Sequence, residues 1–301
     1  MNRREFIRTS AIVSTASMMP SCALQTAEKT SKGVHWPIGC FNRPWSEKKD
    51  KDWGLDAAFD GIKAAGYKIV GLLRGDAKDH LTTAAATPEY LAGLKKRIAD
   101  RGLKVNMSAL RTKNELSVED QIKDMRQQIE NARFLGAEFG LTFGVDSPKF
   151  FENYYKVMHE VAGFAQDKGL KVVLKPHGGA SGAAEEIVRC MKEVNHPNFK
   201  IWFDAGNIIF YTGKDPVEQL KPIVEHVTGF CAKDCDKKGG SVLLEFGTGK
   251  VDFRAVFTEM KKAGFKGPIM VECTAPSTTA EMATENARKN REYLEKLFAS
   301  L

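Results

Sequence analysis

No run of basic residues interleaved with aromatic ones occurs in this chain, although Lys and Arg outnumber Asp and Glu by 45 to 38 and the net charge is +7. The cations are spread along the sequence and mixed with acids, the pattern of a solvated surface. A nucleic-acid partner, which requires clustered cations and aromatic platforms, is therefore not expected. Beyond about residue 33 there is also no Pro/Ser/Gly-rich linker and no charge block. With 301 residues and 43% hydrophobic content, that continuity reads as one large domain with a substantial core. Cysteine is sparse, at positions 22, 40, 190, 231, 235 and 273. A chain able to build such a core does not depend on disulfides, so free thiols are expected. Cys231 and Cys235 on an extended segment would have α-carbons about 13 Å apart, beyond the reach of a bridge.

The first 33 residues are of a different kind. Met1-Asn2-Arg3-Arg4-Glu5-Phe6-Ile7-Arg8, followed by the small and apolar run Ala11 to Met19, has the layout of a twin-arginine export signal, and the uncharged stretch is too short to span a membrane. The expected division is an export signal over residues 1–23, a linker over 24–33 and a folded domain over 34–301. This implies a periplasmic protein with no membrane span in its mature form. Cleavage after Ala23 and lipidation at Cys22 are both open.

One phrase recurs through the rest: an amphipathic helix, a glycine, then a short apolar run. It is seen at Gly66, Gly102, Gly136 and Gly169, spaced by 36, 34 and 33 residues. Glycine tolerates the left-handed conformation that ends a helix, and the short apolar run after it suits a buried parallel strand. Further strands are read at Ile38 to Phe41, Lys200 to Asp204, Thr228 to Lys233 and Pro268 to Glu272, with a last helix over Thr279 to Phe298. Eight such units close into a (β/α)8 TIM barrel or form an open sheet. The first strand runs into Cys40-Phe41-Asn42-Arg43-Pro44-Trp45 and lacks a dinucleotide-binding glycine turn, which favours the barrel.

In a barrel the carboxyl ends of the strands build the site. Here they carry groups that are costly to bury: Arg74-Gly75-Asp76, Lys175-Pro176-His177, Asp204-Ala205-Gly206-Asn207, Cys231-Ala232-Lys233-Asp234 and Glu272-Cys273-Thr274. Lys175, His177, Asp204 and Glu272 are the catalytic candidates. Arg43, Trp45, Arg74, Asn207 and Lys233 are candidates for gripping a sugar by stacking and hydrogen bonding. Asp234 is read as the partner of Lys233 in a loop-shaping ion pair. Glu185 and Glu186 are first-turn acids of a helix, and Gly178, Gly179 and Gly182 suggest a weak phosphate cradle or a flexible entrance.

Barrel order, Phe203-Asp204-Ala205-Gly206-Asn207, Lys233-Asp234, Glu272 and the later Gly247-Thr248-Gly249-Lys250-Val251-Asp252-Phe253 together resemble the xylose-isomerase-like sugar isomerases and epimerases over residues 34 to 299. The resemblance implies one divalent metal held by Glu, Asp, His and Glu from strands five to eight, and proton transfer between sugar carbons through an enediol. Asp204 and Glu272 match two of those ligands. Lys175 stands where the strand-five glutamate is expected, Cys231 where the strand-seven histidine is expected, and Asn207 where a histidine often follows the aspartate. Two alternatives follow. Either a metal (Zn, Mn or Co) shifts onto His177, Asp204 and Glu272 with Cys231 as a possible thiolate, or the site is metal-free and Lys175 polarises the carbonyl. The expected activity is that of a sugar isomerase or epimerase on an unphosphorylated or oxidised sugar. A lyase or hydratase on a keto-sugar or keto-glycoside and a non-catalytic sugar-binding barrel are the alternatives, with a small carbohydrate as partner and the oligomeric state open.

Overall fold

Each strand is a short apolar segment that must be covered on both faces, and the chain covers it by alternating strands with amphipathic helices. The structure, a computed structural model, describes residues 33–46, 53–73 and 86–301. Its strands are β1 Ile38–Phe41, β2 Ile69–Leu72, β3 Lys104–Ala109, β4 Phe139–Thr142, β5 Lys171–Leu174, β6 Phe199–Phe203, β7 Val227–Ala232 and β8 Ile269–Val271. All pair in parallel and in sequence order, and β8 pairs back onto β1 through Ile38 with Ile269 and Cys40 with Val271, which closes the (β/α)8 barrel. Among the described residues the helices are α1 Gly54–Ala64, α2 Pro88–Asp100, α3 Val118–Leu135, α4 Phe151–Asp167, α5 Ala184–Val194, α6 Ala205–Thr212, α7 Pro216–Leu220, α8 Phe253–Lys262 and α9 Ala280–Ala299. The export signal, Cys22 and the linker up to residue 32 lie outside the described residues. No described helix is long and apolar enough to cross a membrane.

The recurrent glycines act as the sequence suggests. Gly136, at φ 100°, ends α3 in a conformation that a side chain would strain, and its N–H donates to the carbonyls of Ala132 and Arg133. The expected last helix is displaced by one residue at each end, and strands six to eight begin or end one residue from their expected limits. The five described cysteines are free thiols, Cys231 and Cys235 included.

Two apolar layers result. The larger lies between strands and helices. Trp45 belongs to it: the side chain is fully buried against Gly61 of α1, and its Nε1 donates to Thr284 Oγ1 of α9 at 3.3 Å. The expectation that Trp45 stacks on a sugar is therefore wrong, because the turn after β1 tucks the indole between helices. The smaller layer plugs the barrel with inward residues, among them Phe41, Met107, Leu141, Val173, Trp202, Cys231 and Met270. Its largest member, Trp202, meets Phe139 edge to face at 4.7 Å.

The loop from β7 to α8 is organised by Asp234, but not through the expected pair with Lys233. Its carboxylate accepts from the backbone N–H groups of Cys235 (2.8 Å), Gly247 (3.0 Å), Gly249 (2.9 Å) and Val251 (3.1 Å). Four backbone donors satisfy the carboxylate lone pairs, and Lys233 turns into the barrel instead.

Glycines make room for the plug. A Cβ on Gly229 of β7 would stand 2.5 Å from the Trp202 ring, which has no space to retreat within a packed barrel. Gly229→Ala is accordingly expected to destabilise the fold by about 1–3 kcal/mol through overpacking. Urea denaturation checks this, and an unchanged midpoint would show that Trp202 is not held as described.

Candidate active site

Side chains alternate along a strand, so a residue two positions beyond an inward plug residue also points inward, one layer higher. Applied to the plug, this rule yields one site residue from each strand. Phe41 leads to Arg43, Gly71 to Leu73, Ala109 to Arg111 and Leu141 to Phe143. On the other half, Val173 leads to Lys175, Trp202 to Asp204, Cys231 to Lys233 and Met270 to Glu272. Backbone bonds carry the register past the strand ends: Lys175 N donates to Thr142 O at 2.9 Å and Glu272 N to Ala232 O at 2.9 Å. Arg111 and Phe143, absent from the sequence-based set, sit in the same layer. The rule that finds Lys175 would have found them, had β3 and β4 been followed two residues past their apolar runs.

In the half of this layer where charge is concentrated, two ammonium groups interlock with two carboxylates. Lys175 Nζ lies 2.5 Å from Glu272 Oε2 and 3.4 Å from Asp204 Oδ2. Lys233 Nζ lies 2.9 Å from Glu272 Oε1 and 3.2 Å from Asp204 Oδ2. Arg43 Nη1 adds a third cation, 3.0 Å from Glu272 Oε1. The two lysines and both acids are almost wholly buried. Asp204 also caps α6, with Oδ1 accepting from Asn207 N at 2.9 Å. Its Oδ2 is within ion-pair distance of both lysines but makes no hydrogen bond of good geometry, so the attraction there is electrostatic. Asn207 ties the lattice to β5: its amide donates to Pro176 O at 2.6 Å while its carbonyl oxygen accepts from Lys233 at 3.2 Å.

The two acids respond differently to the same cations. Burial pushes the Asp204 carboxyl above its usual range, with the lysines only partly opposing it. For Glu272 burial acts in the same sense, but Lys175, Lys233 and Arg43 outweigh it and hold the carboxyl well below that range. Burial alone would lower Lys233, yet Asp204 and Glu272 raise it well above a normal lysine, so it remains an ammonium group and not a free amine nucleophile.

Above this lattice opens a cavity of about 250 Å3. Lys175, Lys233 and Glu272 reach its wall, as do Arg43, Asn207 and His177; Asp204 does not and acts from beneath. His177 packs edge to face on Phe143 at 5.3 Å between ring centres, and the Tyr211 hydroxyl sits 3.0 Å from its Nε2. Tyr211 lies seven residues past Asp204, two turns along α6, a position that strand-end reasoning does not reach. Arg111 covers the Phe143 ring at 4.8 Å and donates to Leu73 O at 2.7 Å. A larger groove of about 640 Å3 between α3, α4 and α5 contains no strand-end residue, so the chemistry belongs to the smaller cavity.

The other expectations fall out unevenly. Arg74 lies outside the described residues. Cys231 belongs to the plug, one layer below the charges, and burial raises its thiol well above the ordinary value. Two positions on, in the layer of Lys175 and Glu272, β7 leads to Lys233. In the glycine turn that suggested a phosphate cradle, the N–H groups of Ala180, Ser181 and Gly182 are taken by Val145 O, Gly178 O and Gly179 O. Glu185 and Glu186 do occupy the first turn of α5, and Glu186 accepts from Ala183 N at 3.0 Å.

Asp204, Cys231 and Glu272 nevertheless offer potential metal-binding atoms within 4.8 Å of one another, while His177 stands outside this cluster. The set suits a divalent cation poorly. Both carboxylates already face two ammonium groups, and the thiol would have to ionise against its burial. His177, outside this cluster, does not complete the shifted ligand set proposed from the sequence.

His177 gives the site a measurable pH signature. Burial first, then Lys175 and Lys233, lower its pKa from 6.5 to about 4. The unfolded chain therefore binds a proton between pH 6.5 and 4 that the folded chain refuses, so stability contributed by neutral His177 is intact above pH 6.5 and is lost as pH falls toward 4. His177→Gln is expected to flatten the fall in urea midpoint across that window. An identical slope in both proteins would place the histidine in a different environment.

Comparison with known proteins agrees with this architecture. The family described as xylose isomerase-like TIM barrel matches residues 59–297. An inosose dehydratase of Clostridium botulinum (strain Alaska E43 / Type E3) is 27% identical over 154 residues, 46% of this chain and 51% of that protein. An L-ribulose-5-phosphate 3-epimerase of Salmonella paratyphi C (strain RKS4594) is 31% identical over 107 residues, 36% of each. The match thus spans about half and about a third of these curated relatives. Among solved structures, a xylose isomerase-like TIM barrel protein from Mycobacterium smegmatis in complex with magnesium superposes with a TM-score of 0.69 at 18% identity, over 88% of this chain and 97% of the other. With eight parallel strands closed in order and a match across most of its length, this chain belongs to the xylose isomerase-like TIM barrel family.

Proposed function

We propose that the protein is a sugar isomerase or epimerase that moves a proton next to a carbonyl without a metal ion. The observation that carries this reading is the pairing, in one cavity, of a neutral imidazole with two buried ammonium groups. Lys175 and Lys233 polarise the carbonyl oxygen and hold the negative charge that develops on it, the part a divalent cation would otherwise take. His177 is unprotonated at neutral pH and accepts the proton, with Tyr211 orienting its ring. Lys175 donates to Glu272 Oε2 at 2.5 Å on the other side of the cavity, and the protonated His177 returns the proton to carbon. Asp204 keeps both lysines in place from below and is a positioning residue. Zinc, manganese and cobalt have no part in this scheme, since the acids that would bind them are committed to the lysines.

A second reading is a lyase or hydratase on a keto-sugar, favoured by one observation. The Tyr211 hydroxyl, on the cavity wall 3.0 Å from His177 Nε2, is placed to deliver its proton to a leaving hydroxide. The similarity to an inosose dehydratase is consistent with that variant. For the cell, we propose export by the twin-arginine route, on the strength of Arg3-Arg4 and the apolar run behind them, with residues 34–301 as the catalytic domain.

Proton transfer is read by incubating the protein with ketoses and keto-sugars in D2O and following deuterium at the carbon beside the carbonyl by NMR. Exchange should occur in protein free of stoichiometric divalent metal by elemental analysis. It should fall by about 100-fold or more in His177→Gln. An isomerase or epimerase yields a rearranged sugar of unchanged mass, whereas a lyase yields a product lighter by the departing group. Exchange that tracks bound metal and vanishes with a chelator would sink the metal-free scheme.

A further inference from the structure

Four rings follow one another along one side of the cavity. Phe143, in the charged layer, meets His177 at 5.3 Å between ring centres, His177 meets Tyr211 at 4.9 Å, and Tyr211 meets Phe210 at 4.9 Å. All four line the cavity, and Val242, from the loop between β7 and α8, lines it with them. Phe210 and Val242 are partly exposed. The loop that presents Val242 is held at several points. Gly239 N donates to Phe210 O at 2.9 Å, which ties the loop to α6. Ser241 N donates to Asp236 Oδ1 at 2.7 Å and Asp236 N to Ser241 O at 3.2 Å, which closes the turn just before Val242. Beyond it the Asp234 carboxylate grips the N–H groups of Gly247, Gly249 and Val251.

This wall is preformed, and its chemistry differs from that of the charged lattice. The polar groups of the run are the His177 ring and the Tyr211 hydroxyl, and they face each other at 3.0 Å. A sugar hydroxyl laid on Phe210 or Val242 would give up water and find no partner on those side chains, whereas an apolar group there would remove water from two surfaces at once. We infer that Phe210, Tyr211 and Val242 form an apolar subsite for the end of the ligand that does not react. The ligand is accordingly a glycoside with an apolar aglycone the size of an aromatic ring, and not a free sugar. Its sugar ring occupies the space over Lys175 and Lys233, and its aglycone lies on the wall. Size agrees: 250 Å3 falls below the roughly 300 Å3 at which drug-sized ligand sites begin, which suits one sugar ring with the aglycone reaching out along the partly exposed residues.

This inference rests on the proposed function only in taking the cavity as the substrate site, and binding tests it apart from turnover. Calorimetric titration of the full chain would compare the phenyl and methyl β-glycosides of D-glucose, D-galactose and D-xylose, with phenol alone as the control. At least one phenyl glycoside should bind about 10- to 50-fold tighter than the methyl glycoside of the same sugar, the gain expected from burying one face of an aromatic ring. Val242→Asp should abolish that preference, the uncharged Val242→Ser should reduce it severalfold, and Val242→Ile should preserve it. Equal affinity for phenyl and methyl glycosides, phenol binding as tightly as its glycosides, no binding of any probe, or a preference that survives Val242→Asp would overturn the subsite. Deuterium exchange on keto-sugars reads the reaction separately. Exchange without a phenyl preference would refute the subsite alone; a phenyl preference without exchange would leave the subsite standing and the isomerase reading refuted.

Discussion

The buried lattice of Lys175, Lys233, Asp204 and Glu272 is the constraint around which the site is arranged. Each of these groups would cost several kcal/mol to bury alone, and each is tolerated because its neighbours carry the opposite charge. The arrangement is mutual: neither acid is shared by fewer than two cations, and neither lysine faces only one acid. Removing any member leaves a charge uncompensated in the barrel mouth, so the set behaves as a unit. It also takes up the carboxylate oxygens that a divalent ion would need, even though Asp204 and Glu272 stand at positions resembling those of metal ligands in the family.

Geometry for this lattice comes from the plug below it. Strand period two makes the residue after next point the same way, so Val173, Trp202, Cys231 and Met270 determine where Lys175, Asp204, Lys233 and Glu272 emerge. Gly229 leaves room for the Trp202 ring, and a bulge between Ile201 and Trp202 resets the β6 register just before Asp204. Packing and chemistry are thus linked layer by layer: the apolar floor fixes directions, the charged layer exploits them, and the cavity opens above.

Much of the fold was legible because its signals are local. A glycine closing each helix and a short apolar run after it are written in adjacent residues, and the recurrence at Gly66, Gly102, Gly136 and Gly169 reveals the repeat. The candidate residues after β5 to β8 were legible for the same reason. Depth was not. Cys231 and Lys233 lie on one strand face, two residues apart, and nothing nearby in sequence says which belongs to the plug and which to the mouth; pairing with β6 and β8 decides it. Trp45 failed for a related reason, since an aromatic residue after a strand looks the same whether it turns toward the mouth or between α1 and α9. Arg111 and Phe143 follow strands read only in outline, and Tyr211 needs the course of α6 to be known.

In the proposed metal-free scheme, ammonium groups in place of a metal ion would change more than the source of positive charge. A metal would draw a neighbouring imidazole into its coordination sphere and so remove its lone pair from proton chemistry. Ammonium groups cannot do that. Burial first, then Lys175 and Lys233, keep the His177 ring neutral at the cavity wall. In that scheme the same two residues would stabilise an incoming negative charge and preserve the base that creates it. That double role depends on their staying charged themselves, which for Lys233 the acids secure: without Asp204 and Glu272 burial would favour its neutral amine, and both the oxyanion support and the electrostatic effect on His177 would weaken together.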